Sequence, residues 1–251
     1  MNNSRPHLLG MLAGLFLAAG LVCSSIMATT AWVKIKNSQF VTVKGSARKN
    51  VTSDLAIWTG NFTTEAETLL DAQHCLHEDR AKVEQFLKAA GMTNYAFTSI
   101  TIQEMRARFE YAVNTNGQRS MSQEKTVGYK LKQSVVARSG QVDRIEHLDS
   151  DSTALVEQGV MFTTDKPKFI YTRAGEAKIE MLAEATKDAR IRAEQISRQG
   201  GRSLARLHRA DMGVFQITPL NSAETSWEGM NDTSYVEKTI TAVVTATFAL
   251  N

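Results

Sequence analysis

The segment His74-Cys75-Leu76-His77-Glu78 brings together residue types that could do chemistry. On a helix, His74 and Glu78 lie four residues apart on one face with His77 beside them, and such side chains bind Zn²⁺. The sequence shows no third or fourth ligand elsewhere, and Leu76 belongs to the apolar stripe of a predicted helix whose other side faces solvent. We therefore predict no required metal site, with His74, His77 and Glu78 as the candidate ligands if one exists.

Other patterns that accompany catalysis or nucleotide binding are absent from the sequence or have a structural interpretation. Asp188 and Arg190 could form a catalytic pair, but alternating charges on a helix are typical of a solvated salt-bridge face. His147 and His208 are isolated, and no G-x-S-x-G elbow places a serine beside a base. Neither a G-x-x-x-x-G-K-[ST] loop nor a G-x-G-x-x-G turn is present to hold phosphates. We predict no catalytic residue, no cofactor and no enzymatic activity; an enzyme would need a cleft that joins distant titratable groups.

The spacing of apolar and charged residues in 173–201 predicts one long amphipathic helix with a structural role. Charged residues fill its outer faces, with Asp188 and Arg192 in the acid-before-base i,i+4 order, and Gly200-Gly201 provides the stop. The apolar residues are mostly small, so the helix axis can come close to the face of a β-sheet. At steps of three and four residues, the apolar stripe comprises Leu182, Ala185, Ala189, Ala193 and Ile196.

An uncharged segment of 26 residues, Leu8 to Val33, follows an N-terminal tail of residues 1–7. As a helix it would be roughly 39 Å long, more than the hydrocarbon core of about 30 Å. We predict that residues 8–33 form a transmembrane signal anchor. The alternative is a cleaved signal peptide with its apolar core at Leu8 to Val22 and small residues near Cys23 or Thr29 before the cut.

The composition is that of a folded chain without a basic surface for nucleic acid. Of 251 residues, 43% are hydrophobic and 22% are charged, which is enough for a buried core. The formal charge of +3 is spread along the chain, so we predict no nucleic-acid partner. Cys23 lies inside the apolar N-terminal segment and leaves Cys75 without a partner, so no intrachain disulfide is expected.

After the anchor, β-like segments neighbour one another in sequence, and three segments are predicted to be helices. The two long helices are predicted over residues 65–90 and 173–201, and a short helix is predicted over residues 141–150. Strand pairs without a crossover favour an α+β fold, with antiparallel or mixed sheets covered by the two helices. We expect one such region over residues 38–250, with two lobes divided near 110–125 and a hairpin tip at 114–123. The strands are predicted at residues 40–48, 55–62, 97–104, 125–136, 160–171 and 236–250.

Five segments together resemble the SIMPL domain family. In chain order they are VTVKGSARKNVTSDLAIW, FTSITI, GYKLKQSVVARS, KDARIRAEQISRQGGR and TITAVVTATFAL. The resemblance covers nearly all of residues 38–250, and the uncharged N-terminal segment is similar to that of the membrane-anchored bacterial branch. Many relatives have proline where this chain has Ser53 before Asp54. The resemblance implies an α+β fold in the bacterial envelope and no established catalytic residues.

The resemblance, the predicted anchor and the missing catalytic patterns favour a noncatalytic assembly protein. Relatives of the periplasmic immunogenic protein type imply a ring-like or cage-like homo-oligomer. We predict a single-pass protein of the bacterial inner membrane with a periplasmic folded region that forms a homo-oligomer larger than a dimer. The terminal β-run, Thr239 to Leu250, would present backbone groups to a neighbouring subunit, unless the loop at residues 221–234 covers that edge in a monomer. The alternative function is a periplasmic binding or stress-response module that captures a ligand or protein partner, and a concave apolar pocket would favour it.

Overall fold

The computed structural model describes residues 6–36, 39–109, 123–222 and 224–251. These residues contain five helices and eleven strands. In chain order they are α1 (Pro6–Lys36), β1 (Phe40–Thr52), β2 (Leu55–Ala66), α2 (Leu69–Ala89), β3 (Tyr95–Phe97), β4 (Thr101–Phe109), β5 (Gln123–Ser139), α3 (Val142–Asp151), α4 (Thr153–Glu157), β6 (Met161–Thr164), β7 (Lys168–Ile170), α5 (Ala174–Gln199), β8 (Leu204–Met212), β9 (Gln216–Pro219), β10 (Met230–Asn231) and β11 (Glu237–Leu250).

The strands form two sheets. The β11 sheet has the order β1-β11-β9-β10, with β8 also paired to β11. The β2 sheet has the order β3-β5-β2-β6, with β4 paired to β5 and β7 paired to β2. The pair β9-β10 is parallel, whereas β2-β5, β4-β5 and β8-β11 are antiparallel. The predicted α+β class with antiparallel and mixed sheets is therefore confirmed.

The chain divides into two compact units. The first unit consists of Met1–Ala47, Leu182–Gly213 and Val243–Asn251, and the second unit consists of Arg48–Met181 and Val214–Ala242. The strands β1 and β11 and the helix α5 each contribute residues to both units. The predicted lobe boundary near 110–125 and the predicted hairpin tip at 114–123 fall mainly on residues 110–122, which lie outside the described residues, so both stay predictions.

The core of the second unit lies between the β2 sheet and the helices α2 and α3. Trp58 and Phe62 of β2 are fully buried there, together with Leu76 and Val83 of α2. Helix α2 begins at Leu69 and not at residue 65 as predicted, because residues 65 and 66 continue β2 and pair with β5. The Thr68 hydroxyl accepts the N–H of Asp71 at 3.2 Å and so caps the helix.

The predicted single strand at 160–171 is wrong, because β6 and β7 are two short strands. Thr164 is opposite Gly60 and Lys168 is opposite Ile57, so three residues stand against two residues of β2. One extra residue on a strand is a bulge, and it interrupts the ladder. Pro167 lies in this interruption, where its missing N–H costs no ladder hydrogen bond.

In the first unit, α1 is apolar and exposed. The stretch Gly10–Val33 is long and apolar enough to cross a membrane, and none of it is buried. The predicted uncharged helix at residues 8–33 therefore agrees with a candidate membrane span.

Helix α5 packs closely on β1 in the first unit, as its small apolar residues predict. Ala185, Ala189 and Ala193 are fully buried. A Cβ added to Gly45 of β1 would overlap the Ala185 carbonyl oxygen and the Ala189 backbone nitrogen, and would lie 2.7 Å from the Ala189 Cβ. A side chain at position 45 would therefore push the helix off the strand.

Two members of the predicted α5 stripe do not share the buried face. Ile196 is 54% exposed, Leu182 is only half-buried, and Ser197 is buried at 2% exposure. The buried residues continue at steps of four, whereas a step of three from Ala193 turns Ile196 about 60° away. The Ser197 hydroxyl donates to the Ala193 carbonyl at 2.7 Å, so this buried hydroxyl has a hydrogen-bond partner.

Candidate functional site

A cleft of about 380 Å³ in the second unit is lined by polar side chains. Its floor is built by β1, β9 and β11. The alternation of β11 buries Ile240 and turns Thr239 and Thr241 to the opposite face. On β9, Thr218 stands opposite Thr239 and Gln216 stands opposite Thr241. The register therefore places four hydrogen-bonding side chains side by side.

The β1 part of the floor contributes Arg48 and Asn50. The Thr239 hydroxyl donates to Asn50 Oδ1 at 3.1 Å, which fixes the amide and leaves its N–H groups free to donate to a ligand. Arg48 is two residues away on the same face and exposed. Within the part of the chain that the structure describes, its guanidinium makes no hydrogen bond or ion pair.

The wall of the cleft is a loop that Gln216 holds in place. Gln216 is 7% exposed, and its amide nitrogen donates to the Ser226 carbonyl while its amide oxygen accepts the Ser226 N–H at 3.3 Å. Asn221 has a φ of 62°, a left-handed conformation that asparagine tolerates. Ser222 N–H donates to the Pro219 carbonyl at 3.0 Å and closes the turn. These bonds hold both ends of the wall to β9.

Glu224 gives this wall its negative charge. Its backbone N–H donates to the Ser222 hydroxyl at 3.1 Å, and its exposed carboxylate has no partner among the described residues. The cleft therefore combines one cation, Arg48, and one anion, Glu224, with hydroxyl and amide groups. Among the described residues, no histidine, cysteine or aspartate lines it to activate a hydroxyl. The arrangement is suited to binding.

The segment that contains the candidate metal ligands lies on the solvent side of α2. His74, Cys75, His77 and Glu78 are exposed, whereas Leu76 is 2% exposed. The predicted solvent-facing position of these residues is confirmed. Within the described residues, no group of three His, Cys, Asp or Glu side chains could hold a metal ion. That the protein needs no metal stays a prediction.

Replacing both His74 and His77 with alanine is expected to change the free energy of unfolding by less than about 0.5 kcal/mol, because exposed side chains without partners contribute little. Urea denaturation and metal analysis of wild-type and variant protein test this. A stoichiometric metal that is lost from the variant, with a destabilisation above about 3 kcal/mol, would establish a structural site instead.

Asp188 of α5 holds the backbone of β1 in the first unit. Its Oδ2 accepts the Ser46 N–H at 2.8 Å and the Arg192 Nε–H at 2.8 Å. The hydrogen bond from Ser46 lowers the pKa of Asp188, burial opposes this, and Arg192 lowers the pKa further. Arg190 binds Glu194 instead, so the Asp188–Arg190 pair considered from the sequence does not form. The hydrogen bond from Ser46 to Asp188 weakens as the pH falls through the folded-state pKa of Asp188.

Asp54 has a structural role that the sequence reasoning missed. Its carboxylate accepts the Thr172 N–H at 2.7 Å and the Thr172 hydroxyl at 2.9 Å, and Arg173 lies 3.5 Å away. Burial raises the pKa of Asp54, but the bonds from Thr172 and the charge of Arg173 lower it overall. The position of Asp54 between two predicted strands was a turn signal. Its partners, 118 residues away, were not readable from local pattern.

A buried ion pair of the second unit was also missed. Lys238 has a side chain that is 1% exposed, and its Nζ donates to Asp232 Oδ2 at 2.8 Å and to the Asp232 carbonyl at 2.7 Å. The sequence could have indicated that Lys238 is buried, because Lys238 occupies the same alternating positions as the buried apolar residues of β11.

Comparison with protein families gives one match over most of the chain. The SIMPL family, described as a protein of unknown function (DUF541), matches residues 41–248. No curated protein matches the chain. The matched range contains the cleft, Gly45 and all but the last residues of β11, and α1 lies before it.

Proposed function

We propose, from the premise that the chain belongs to the SIMPL family, that it is a noncatalytic, membrane-anchored protein that assembles into a homo-oligomeric ring or cage. In this proposal α1 is a single-pass anchor in the bacterial inner membrane, and the folded region lies in the periplasm. The family is described as having unknown function, so the support for assembly comes from surfaces of this chain.

The free edge of β8 is the observation that carries the assembly proposal. Within the described residues, β8 pairs with β11 and with no other strand. Every side chain from Arg206 to Met212 is exposed. A nine-residue strand with one unpaired edge presents backbone donors and acceptors that a strand of another subunit can bind.

The apolar side of β8 adds a second reason for a partner. Leu207 stands opposite Phe248, and Met212 stands opposite Val244. Phe248 and Val244 are buried at 3% and 1% exposure, whereas Leu207 and Met212 are 45% and 68% exposed. Residues opposite one another share a sheet face, so the buried face of β11 continues onto β8 without cover from the described residues. A second copy of the chain would bury it.

The sequence-based expectation that β11 itself offers a free edge is wrong. β11 pairs with β1 on one side and with β8 and β9 on the other. In the second unit, the loop at residues 221–234 supplies β10, which pairs with β9 and covers its edge. The unpaired edge that supports assembly is therefore β8. A β8-β8 contact would stop at a dimer, whereas β8 against a different edge can close into a ring.

Ala210→Pro is expected to reduce the assembly to single subunits without unfolding them. Gly213 N–H donates to the Val243 carbonyl at 2.8 Å, and antiparallel alternation then points the Ala210 N–H away from β11. Proline there breaks no internal ladder bond but prevents a strand from pairing outside. Multi-angle light scattering of the full chain in detergent should show more than two subunits for wild type and one for the variant.

Ala210→Ser is the matched control, because it keeps the outward N–H and should keep the wild-type mass. A wild-type mass of one or two subunits, in the full chain and in residues 34–251 at micromolar concentration, would refute assembly beyond a dimer. Intact mass of the same detergent preparation tests the anchor. A mature N-terminus near Ile26 or Trp32 would show that the segment is cleaved.

The polar cleft favours a second function, which is capture of a ligand in the periplasm. The sequence-based alternative expected an apolar pocket, but the cleft of the second unit is lined by Arg48, Glu224 and uncharged polar groups. A ligand for it would therefore be small and polar.

A further inference from the structure

We propose that the polar cleft binds a small zwitterion of the size of an amino acid or a dipeptide. In this site Arg48 binds the carboxylate of the ligand and Glu224 binds its ammonium group. The site lies within the second unit, and its occupancy does not depend on the assembly proposed above.

The volume of the cleft sets the size of the ligand. Sites for drug-sized molecules span about 300–1,000 Å³, and this cleft, at about 380 Å³, is near the lower bound. An amino acid or a dipeptide with a few waters fits such a space. A folded protein segment or a dinucleotide would extend far outside it.

The two charges of the cleft specify the ligand's charge. Arg48 and Glu224 line the same cavity, yet neither is paired with the other or with any other described residue. The planar guanidinium offers two parallel N–H donors to a carboxylate, and a carboxylate accepts from an ammonium group. A ligand with a single charge would form a charge-assisted bond with only one of the two groups. A zwitterion satisfies both.

The uncharged lining discriminates against other ligand classes. The donors and acceptors are hydroxyls such as that of Thr241 and amides such as that of Asn50. The described residues that line the cleft include no aromatic side chain on which a nucleobase could stack. One cation without a glycine-rich loop is a poor cradle for phosphates. The hydroxyls of a neutral sugar could hydrogen-bond to Arg48 and Glu224, but they carry no charge to pair with either group.

Hydrogen bonds within the chain hold parts of the cleft wall. Gln216 uses both ends of its amide on the Ser226 backbone, and Asn221 has a left-handed conformation. Groups that such bonds already hold lose less conformational freedom when a ligand binds.

Isothermal titration of the full chain in detergent tests the proposal with L-alanine and L-alanyl-L-alanine as probes. At least one of them is expected to bind with a Kd of about 1 mM or tighter. Propionate and ethylamine each carry one of the two charges and should bind at least about tenfold more weakly, because a charge-assisted bond is lost. Glucose is the neutral comparison and should also bind at least about tenfold more weakly, because it forms no charge-assisted bond.

Arg48→Met and Glu224→Gln are each expected to weaken zwitterion binding by about tenfold or more. Their matched controls are Lys44→Met, an exposed cation on the same strand, and Glu228→Gln, an exposed acid in the same loop. Both control residues lie outside the lining and should leave the Kd unchanged. Because all four side chains are exposed, the variants should keep the wild-type unfolding temperature.

Three results would overturn the proposal. One is no binding of either zwitterion at about 10 mM. Another is equal binding of propionate, ethylamine or glucose. The third is a Kd that changes as much in the control variants as in Arg48→Met and Glu224→Gln. The subunit mass measured by light scattering is a separate readout, so failure here leaves the assembly result unaffected.

Discussion

Gly45→Ala is expected to lower the free energy of unfolding by about 3 kcal/mol. The new Cβ would overlap the Ala185 carbonyl oxygen and the Ala189 backbone nitrogen of α5. These are backbone atoms of a helix, so relief requires displacing α5 and not merely turning a side chain. Such a displacement would also loosen the packing of the fully buried Ala189 and Ala193.

Gly175→Ala is the matched control. Gly175 is the second residue of α5, and an added Cβ there would have no atom within 4 Å. Alanine has a higher helix propensity than glycine, so this variant is expected to be equal to wild type or more stable by up to about 1 kcal/mol. Urea denaturation of the full chain in detergent, followed by circular dichroism, measures both. Equal effects of the two substitutions would show that α5 does not pack closely at position 45.

Lys238→Met is expected to destabilise the second unit by about 3–5 kcal/mol, because it leaves the carboxylate of Asp232 without its cation. The Lys238 side chain is 1% exposed and that of Asp232 is 10% exposed, so water cannot replace the lost ammonium group. Asp232 also accepts the N–H groups of Ser234 and Tyr235, at 3.0 and 3.2 Å. The pair therefore shapes the segment that leads into β11.

Two further variants separate this ion pair from a general effect of removing lysine. Lys49→Met removes an ion pair with Glu180 in which the side chains are 40% and 55% exposed, so its cost should be below about 1 kcal/mol. Asp232→Asn combined with Lys238→Met removes both charges and should recover part of the lost stability. If Lys49→Met and Lys238→Met have the same cost, the buried pair is not the cause.

The effect of Lys238→Met should shrink in acid. Burial raises the pKa of Asp232, but the hydrogen bond and charge of Lys238 and the N–H groups of Ser234 and Tyr235 lower it overall. A carboxyl group whose folded-state pKa is lowered contributes stability above its unfolded pKa of about 3.9, and loses it as the pH falls through the folded-state value. The stability difference between wild type and variant should therefore be constant near neutral pH and narrow below about pH 4. A difference that grows in acid would contradict this assignment.

Local pattern was sufficient for the elements whose own side chains decide their structure. The sequence of β11 alternates apolar and polar residues, and the apolar Ile240, Val244 and Phe248 are buried. The small residues of α5 predicted close packing on a strand, which Gly45 provides. The resemblance in five segments likewise identified the family, which the match over residues 41–248 confirms.

Tertiary structure alone decided which edges and surfaces remain open. The cleft joins Arg48, Gln216 and Thr241 through strand register, and contacts between residues so far apart in sequence leave no local pattern. The same holds for the free edge of β8, since a strand's own sequence does not state how many neighbours it has. Ile196, expected in the apolar stripe, is exposed and Ser197 is buried, because the sheet under α5 selects four-residue steps. The sequence by itself thus determined the helices, the apolar faces and the family, whereas strand pairing determined the candidate binding site and the candidate assembly edge.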